Sequence, residues 1–162
     1  MQIVKYLSEI MPTITADAHC DIPCGVYDPT PAKIAAKTVA RMVQQLDEIQ
    51  PPQSTDSHSI ANHANMISRR IAVKEQHAEL CKKELLILWT DFFKSEHLEQ
   101  FPNLHVLFWD AVKLCSKNKQ EVNADAAQKL VEAVDGIAKI FYEAKKVPER
   151  YEAYQAITDK LY

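Results

Sequence analysis

The chain has 162 residues, 47% apolar and 25% charged, with a formal charge of −3. That is the length and composition of one soluble globular domain, and it excludes a disordered tail or a fibrous repeat. Only two glycines occur, Gly25 and Gly136; dinucleotide fingerprints, P-loops and the tight hairpins of an all-β fold are excluded, which leaves helices.

In chain order, residues 1–18 come first, with one basic residue, Lys5, ahead of an apolar stretch broken by Ser8, Glu9 and Pro12. This is a poor secretory core, so export is not expected, yet Ala16-Asp17-Ala18 has the small-x-small form of a peptidase cleavage site directly before His19. Asp28-Pro29-Thr30-Pro31 reads as a helix start, with Thr30 or Asp28 as cap and Pro31 in the first turn. Val39, Met42, Val43, Leu46 and Ile49 then recur at helical spacing until Pro51-Pro52 stops the first helix. After a polar loop, Ile60, Ala64, Ile67, Ile71, Ala78, Cys81, Leu85 and Leu88 mark a second helix to about Trp89, with Lys74 as its polar interruption and Ser68 as a candidate break. A connection from Lys94 to Phe101 leads to Pro102, and Leu104, Leu107, Phe108, Ala111, Val112 and Cys115 mark the third helix. Asn123 is positioned to cap a fourth, striped by Ala126, Leu130, Val134, Ile137 and Phe141. The expected architecture is all-α: an antiparallel four-helix bundle over residues 31–146, followed by a short fifth helix or arm over 147–162.

The charge balance gives no pull toward nucleic acid or anionic lipid, and no apolar run of about 18 residues is present to span a membrane. Four cysteines, Cys20, Cys24, Cys81 and Cys115, are too few for a disulfide scaffold, so a reducing, cytoplasmic setting is expected. Cys81 and Cys115 fall on helical stripes as small core hydrophobes would. The histidines form neither H-E-x-x-H nor the paired E-x-x-H of di-iron bundles.

The chemistry concentrates in His19-Cys20-Asp21-Ile22-Pro23-Cys24-Gly25-Val26-Tyr27. If residues 1–18 are removed, His19 offers a free α-amine and Cys20 an amide nitrogen and a thiolate. Amine to amide and amide to thiolate each close a five-membered chelate ring on a metal. Cys24 supplies a fourth planar donor, and the His19 imidazole an axial fifth. A flat set of thiolate and amidate donors suits nickel or copper rather than tetrahedral zinc, and copper(II) tends to oxidise thiolates, leaving nickel as the durable occupant. Such donors stabilise the electron-poor state and bring nickel(III)/nickel(II) cycling within reach. Pro23 and Gly25 shape the turn, with a cis Ile22–Pro23 bond as a hypothesis, and Tyr27 is placed to stand over the open face.

The run from His19 through Asp28-Pro29 resembles the nickel hook of nickel-containing superoxide dismutases. The likeness continues through Val73-Lys74-Glu75-Gln76-His77-Ala78-Glu79-Leu80, Leu88-Trp89-Thr90-Asp91-Phe92-Phe93-Lys94 and Ile140-Phe141-Tyr142-Glu143-Ala144-Lys145-Lys146. It implies disproportionation of superoxide to oxygen and hydrogen peroxide, one nickel ion per subunit, a homohexamer, and removal of residues 1–18 by a dedicated peptidase to leave the hook at 19–30. The implied ligands are His19, Cys20 and Cys24, with Tyr27 beside the metal; Asp21, Pro23, Gly25, His77 and Lys94 surround the site or the substrate approach. Two positions depart from the family pattern together. Where members carry a glutamate on helix one and an arginine after Lys-Glu-Gln, this chain has Ala35 and His77, and Phe92 replaces a second tyrosine. Residues 69–94 hold six basic and four acidic side chains, and Lys94 is the candidate for a positive approach. Two other functions compete: a nickel or copper trafficking bundle without turnover, and a thiol-redox bundle using the cysteine pair.

Overall fold

The structure, a computed structural model, describes residues 25–161, all of whose regular elements are helical. Helix α1 (Thr30–Asp47) opens where the Thr30 N–H donates to Asp28 Oδ1 at 2.8 Å. It buries Ala32, Ala35, Ala36, Val39 and Val43, one stripe at three- and four-residue steps. The Asp56 carboxylate caps α2 (Ser57–Ile87), accepting from the backbone of His58 and Ser59, each at 3.0 Å.

Helix α2 runs unbroken through Ser68, against the expected break: an exposed serine costs a helix interior only a fraction of a kcal/mol, about 0.5. Its stripe does not end the chain's turn at Trp89 either. Leu88–Phe92 forms a π-helical turn, closed by the Phe93 N–H on the Leu88 carbonyl at 3.0 Å, which brings both buried side chains inward. The connection to Phe101 holds a short helix, α3 (Ser95–Gln100), because His97 Nδ1 accepts the Lys94 N–H at 2.9 Å. Helix α4 (Leu104–Gln120) follows, and Asn123 caps α5 (Ala124–Ala144) through the Ala126 N–H at 2.9 Å. The tail forms α6 (Arg150–Thr158).

Helices α1, α2, α4 and α5 contact one another in a closed ring, α1 with α2, α2 with α4, α4 with α5 and α5 with α1, and α6 lies against α1 and α5. Their shared core includes Val39, Leu85, Leu104, Leu130, Val134, Ile137 and Phe141. Cys81 and Cys115 face each other across α2 and α4 as buried thiols, and the hydrogen bond between them, with burial, pushes the Cys81 thiol well above its ordinary range.

Lys74 is buried rather than tolerated at the surface. Its Nζ donates to the carbonyls of Asn118, Lys119 at 3.3 Å and Glu121 at 2.8 Å. The last carbonyls of a helix lack intrahelical partners and carry its negative dipole end, so one ammonium satisfies the C-terminus of α4. Burial holds the Lys74 amine below the ordinary lysine range, an effect the nearby Glu75 charge partly offsets.

Candidate metal centre

His19, Cys20, Asp21, Pro23, Cys24 and the Ile22–Pro23 bond lie outside the described residues. Description begins at Gly25, whose φ of +63° is left-handed, with nothing within 4 Å of where a Cβ would stand. Glycine therefore serves the backbone turn there rather than a tight contact.

Two bonds from α5 hold the segment that follows. Lys145 Nζ donates to the Tyr27 carbonyl at 3.2 Å, and Tyr142 Oη donates to Asp28 Oδ2 at 3.2 Å. Asp28 thus joins the start of α1 to α5 with one carboxylate, through Thr30 and Tyr142. Burial first, and the Asp28 charge second, push the Tyr142 phenol up to about 12.

The π-helical turn presents Phe92 as the centre of an aromatic cluster. Its ring lies 5.8 Å from Tyr27, 4.9 Å from Phe93, 4.4 Å from Phe141 and 5.7 Å from His97, the last nearly parallel at 11°. Together Gly25, Tyr27, Asp91, Phe92, Lys94, Glu96, His97, Ala144 and Lys145 line an open cavity of about 380 Å³. Since His97 Nδ1 accepts the Lys94 N–H, a neutral His97 carries its ring proton on Nε2. The lining holds two lysines and two carboxylates, so any pull on an anion depends on placement rather than on charge count.

Gly25, Tyr27 and Lys94 are therefore brought to one cavity, at the point where the chain leaves for Cys24. His77 is not brought there. Its Nδ1 donates to the Val73 carbonyl at 2.9 Å, and it lines a separate groove of about 630 Å³ on α2 with Leu80, Lys83, Leu86 and Thr90. Ala35 is fully buried in α1. His97, Tyr142 and Lys145 were not singled out as site residues by sequence; the run Ile140–Lys146 contains two of them, whereas His97 has no motif around it. Among the described residues no group of three or more His, Cys, Asp or Glu side chains is placed to hold a metal ion, and no helix is long and apolar enough to cross a membrane.

Comparison with known proteins agrees with the family resemblance. Residues 14–145 match the family described as nickel-containing superoxide dismutase. The nickel superoxide dismutases of Streptomyces coelicolor and Streptomyces seoulensis are each 38% identical over 135 residues, 83% of this chain and 94% of theirs. A native nickel superoxide dismutase structure aligns with a TM-score of 0.65 at 38% identity, covering 79% of this chain and 99% of that one. Another, with nickel ligation corresponding to the oxidised state, aligns at 39% identity with the same score of 0.65 and the same coverage of 79% and 99%. With the match spanning most of the bundle as well as the hook, the chain belongs to the nickel-containing superoxide dismutase family.

Proposed function

We propose that the chain disproportionates superoxide at a nickel ion held by its own residues 19–24: the α-amine and imidazole of His19, the amide and thiolate of Cys20, and the thiolate of Cys24. Family membership makes superoxide the substrate and nickel the cofactor. The donor set fits that metal, because two thiolates and two nitrogens in sequence favour a flat field over a tetrahedron. When bound, nickel supplies the one-electron exchange between its trivalent and divalent states.

The protein's part is to seat the hook and manage a small anion and its protons. What supports this most directly is the cavity where the chain turns toward Cys24, with Gly25 and Tyr27 on its wall. Tyr27, fixed through its carbonyl by Lys145, stands as the gate to the open face. Lys94 contributes a positive charge at the rim, and Asp21, Pro23 and Gly25 set the hook's turn. The assignment does not extend to His77, whose ring is engaged by Val73 in another groove. Forming hydrogen peroxide consumes two protons. Water within the cavity and the backbone N–H groups of the hook are the donors nearest to hand.

Three further parts belong to the same reading. Residues 1–18 are removed by a peptidase, because the His19 nitrogen is a ligand only as a free amine; residues 19–30, 31–146 and 147–162 are then hook, bundle and tail. The subunits assemble as a homohexamer with one nickel ion each, and the enzyme works in the cytoplasm.

Intact-mass measurement on natively matured protein, with nickel content and superoxide turnover, tests the proposal. A chain beginning at His19, with one nickel per subunit, is the expected result. Cys20→Ser is expected to lose nickel and turnover together, and His19→Gln to keep nickel but cycle poorly. Active protein that retains residues 1–18, or undiminished turnover in Cys20→Ser, overturns the assignment. A metal-carrying bundle would instead bind nickel and leave superoxide to decay at its uncatalysed rate.

A further inference from the structure

The chain continues beyond residue 145, where the family match ends, into a helix that packs against α1 and α5. The buried aromatic of α6 is Tyr154, 4% exposed. Its hydroxyl donates to Asp135 Oδ1 at 3.2 Å, and the same carboxylate receives Lys33 Nζ at 2.6 Å, so a lysine only 1% exposed has its counterion. On the other side the Tyr154 ring meets Tyr142 at 5.8 Å between centroids. Tyr142 in turn donates to Asp28, four positions after Cys24. Lys37 Nζ, donating to the Thr158 carbonyl at 2.9 Å, fastens the far end of α6 to α1.

These contacts form a line from the tail to the root of the hook. A phenol–carboxylate hydrogen bond gains strength as water is excluded, because water would otherwise compete for both partners. The Tyr154 ring packs on the phenol side of that bond, where Tyr142 is 3% exposed, while the Asp28 carboxylate is exposed. Without that ring, Tyr142 is opened to solvent, and Asp28 keeps its bond to the Thr30 N–H but loses its firm tie to α5.

We propose that α6 is a clamp on the nickel hook, with Tyr154 as a positioning residue that acts through Tyr142 and Asp28 on the segment carrying Cys24. The proposal rests on the reading that residues 19–24 hold the metal, so its test needs one measurement that does not involve metal.

Hydrogen exchange over residues 25–32 in the nickel-free protein supplies that measurement. Nickel release to a chelator, and the paramagnetic resonance spectrum of the oxidised metal, are then followed in matured, nickel-loaded enzyme. Tyr142→Phe removes one oxygen and Tyr154→Ala one shielding ring. Each is expected to speed exchange and nickel release about tenfold, the size of one hydrogen bond to a charged group, and to alter the spectrum. Because both act on one contact, the double variant is expected to match the singles rather than multiply them. Tyr154→Phe keeps the ring and is expected to stay within about twofold of the parent in exchange over 25–32 and in nickel release. Ile157→Ala, at a side chain 66% exposed on the same helix, is expected to change neither. Should Tyr154→Ala fail to fold, Tyr154→Val takes its place beside Tyr142→Phe, with the same expectation. The clamp is overturned if Tyr142→Phe or the Tyr154 variant leaves exchange over 25–32 at the parent rate, or if the two effects multiply. A parent chain that binds no nickel defeats the hook reading, while exchange still reports on the clamp.

Discussion

At the hook end of the bundle Tyr27, Trp89, Phe92, Phe93, Phe108, Phe141, Tyr142 and Tyr154 pack ring to ring; at the opposite end the core is Val39, Val43, Ala78, Cys115, Ala127, Leu130 and Val131, with Lys74 and Asn118 buried among them. The division is written in the chain, which has no Phe, Tyr or Trp between residues 28 and 88 or between 110 and 140. Aliphatic side chains fill space without direction. Aromatic ones bring flat faces, and tyrosine adds a polar tip that reaches out of an apolar body. The end from which the proposed metal-binding segment departs is built from groups with orientation, whereas the other end is built to hold four helices together.

That contrast predicts where function and stability part company. Phe141→Ala is expected to cost about 3–5 kcal/mol in chemical denaturation, as a fully buried ring is removed. It also removes the ring packed on Phe92, so nickel content is expected to fall with it. Lys74→Met at the other end leaves the α4 carbonyls without their donor and is expected to cost about 2–3 kcal/mol, with nickel per subunit unchanged in the folded fraction. Loss of nickel in Lys74→Met folded protein would show that the two ends are not separate.

The smallest effect is a pH dependence. The Tyr142 phenol ionises at about 12 in the folded chain, against an ordinary value of 10.0. Its contribution is therefore complete below pH 10 and declines as pH rises to about 12, because the unfolded chain ionises first. Tyr154 shifts in the same direction, through burial first and the Asp135 charge second. Denaturation midpoints measured from pH 9 upward are expected to fall less steeply in Tyr142→Phe than in the parent. An unchanged slope would show that the Tyr142 phenol ionises alike in the folded and unfolded chains.

The long helices were legible because their apolar residues repeat locally, and the caps at Asp28 and Asn123 because a cap lies within three residues of the N–H it serves. The family was legible through the run of donors at 19–24, and the bundle through spacing. Lys74 was not: as a polar gap in an apolar stripe it shows nothing of carbonyls that lie 44–47 positions further along. The π-helical turn was hidden because its spacing, Leu88 to Phe93, belongs to neither common period. His97 was passed over as one of several isolated histidines, since what places it beside Tyr27 and Lys145 is tertiary.

The Lys74 ammonium has three protons, and it spends them on three carbonyls at the end of α4. This makes it a length gauge. Another turn of α4, or a residue gained in the 121–123 link, would carry those oxygens out of reach and strand a charge in the core. The link at 48–56 carries no such gauge, and its residues are exposed or half-buried. Inserted sequence, whether a tag, a reporter or a permuted terminus, belongs at 50–53, ahead of the Asp56 cap and its Ser54 partner, and not at the end of α4.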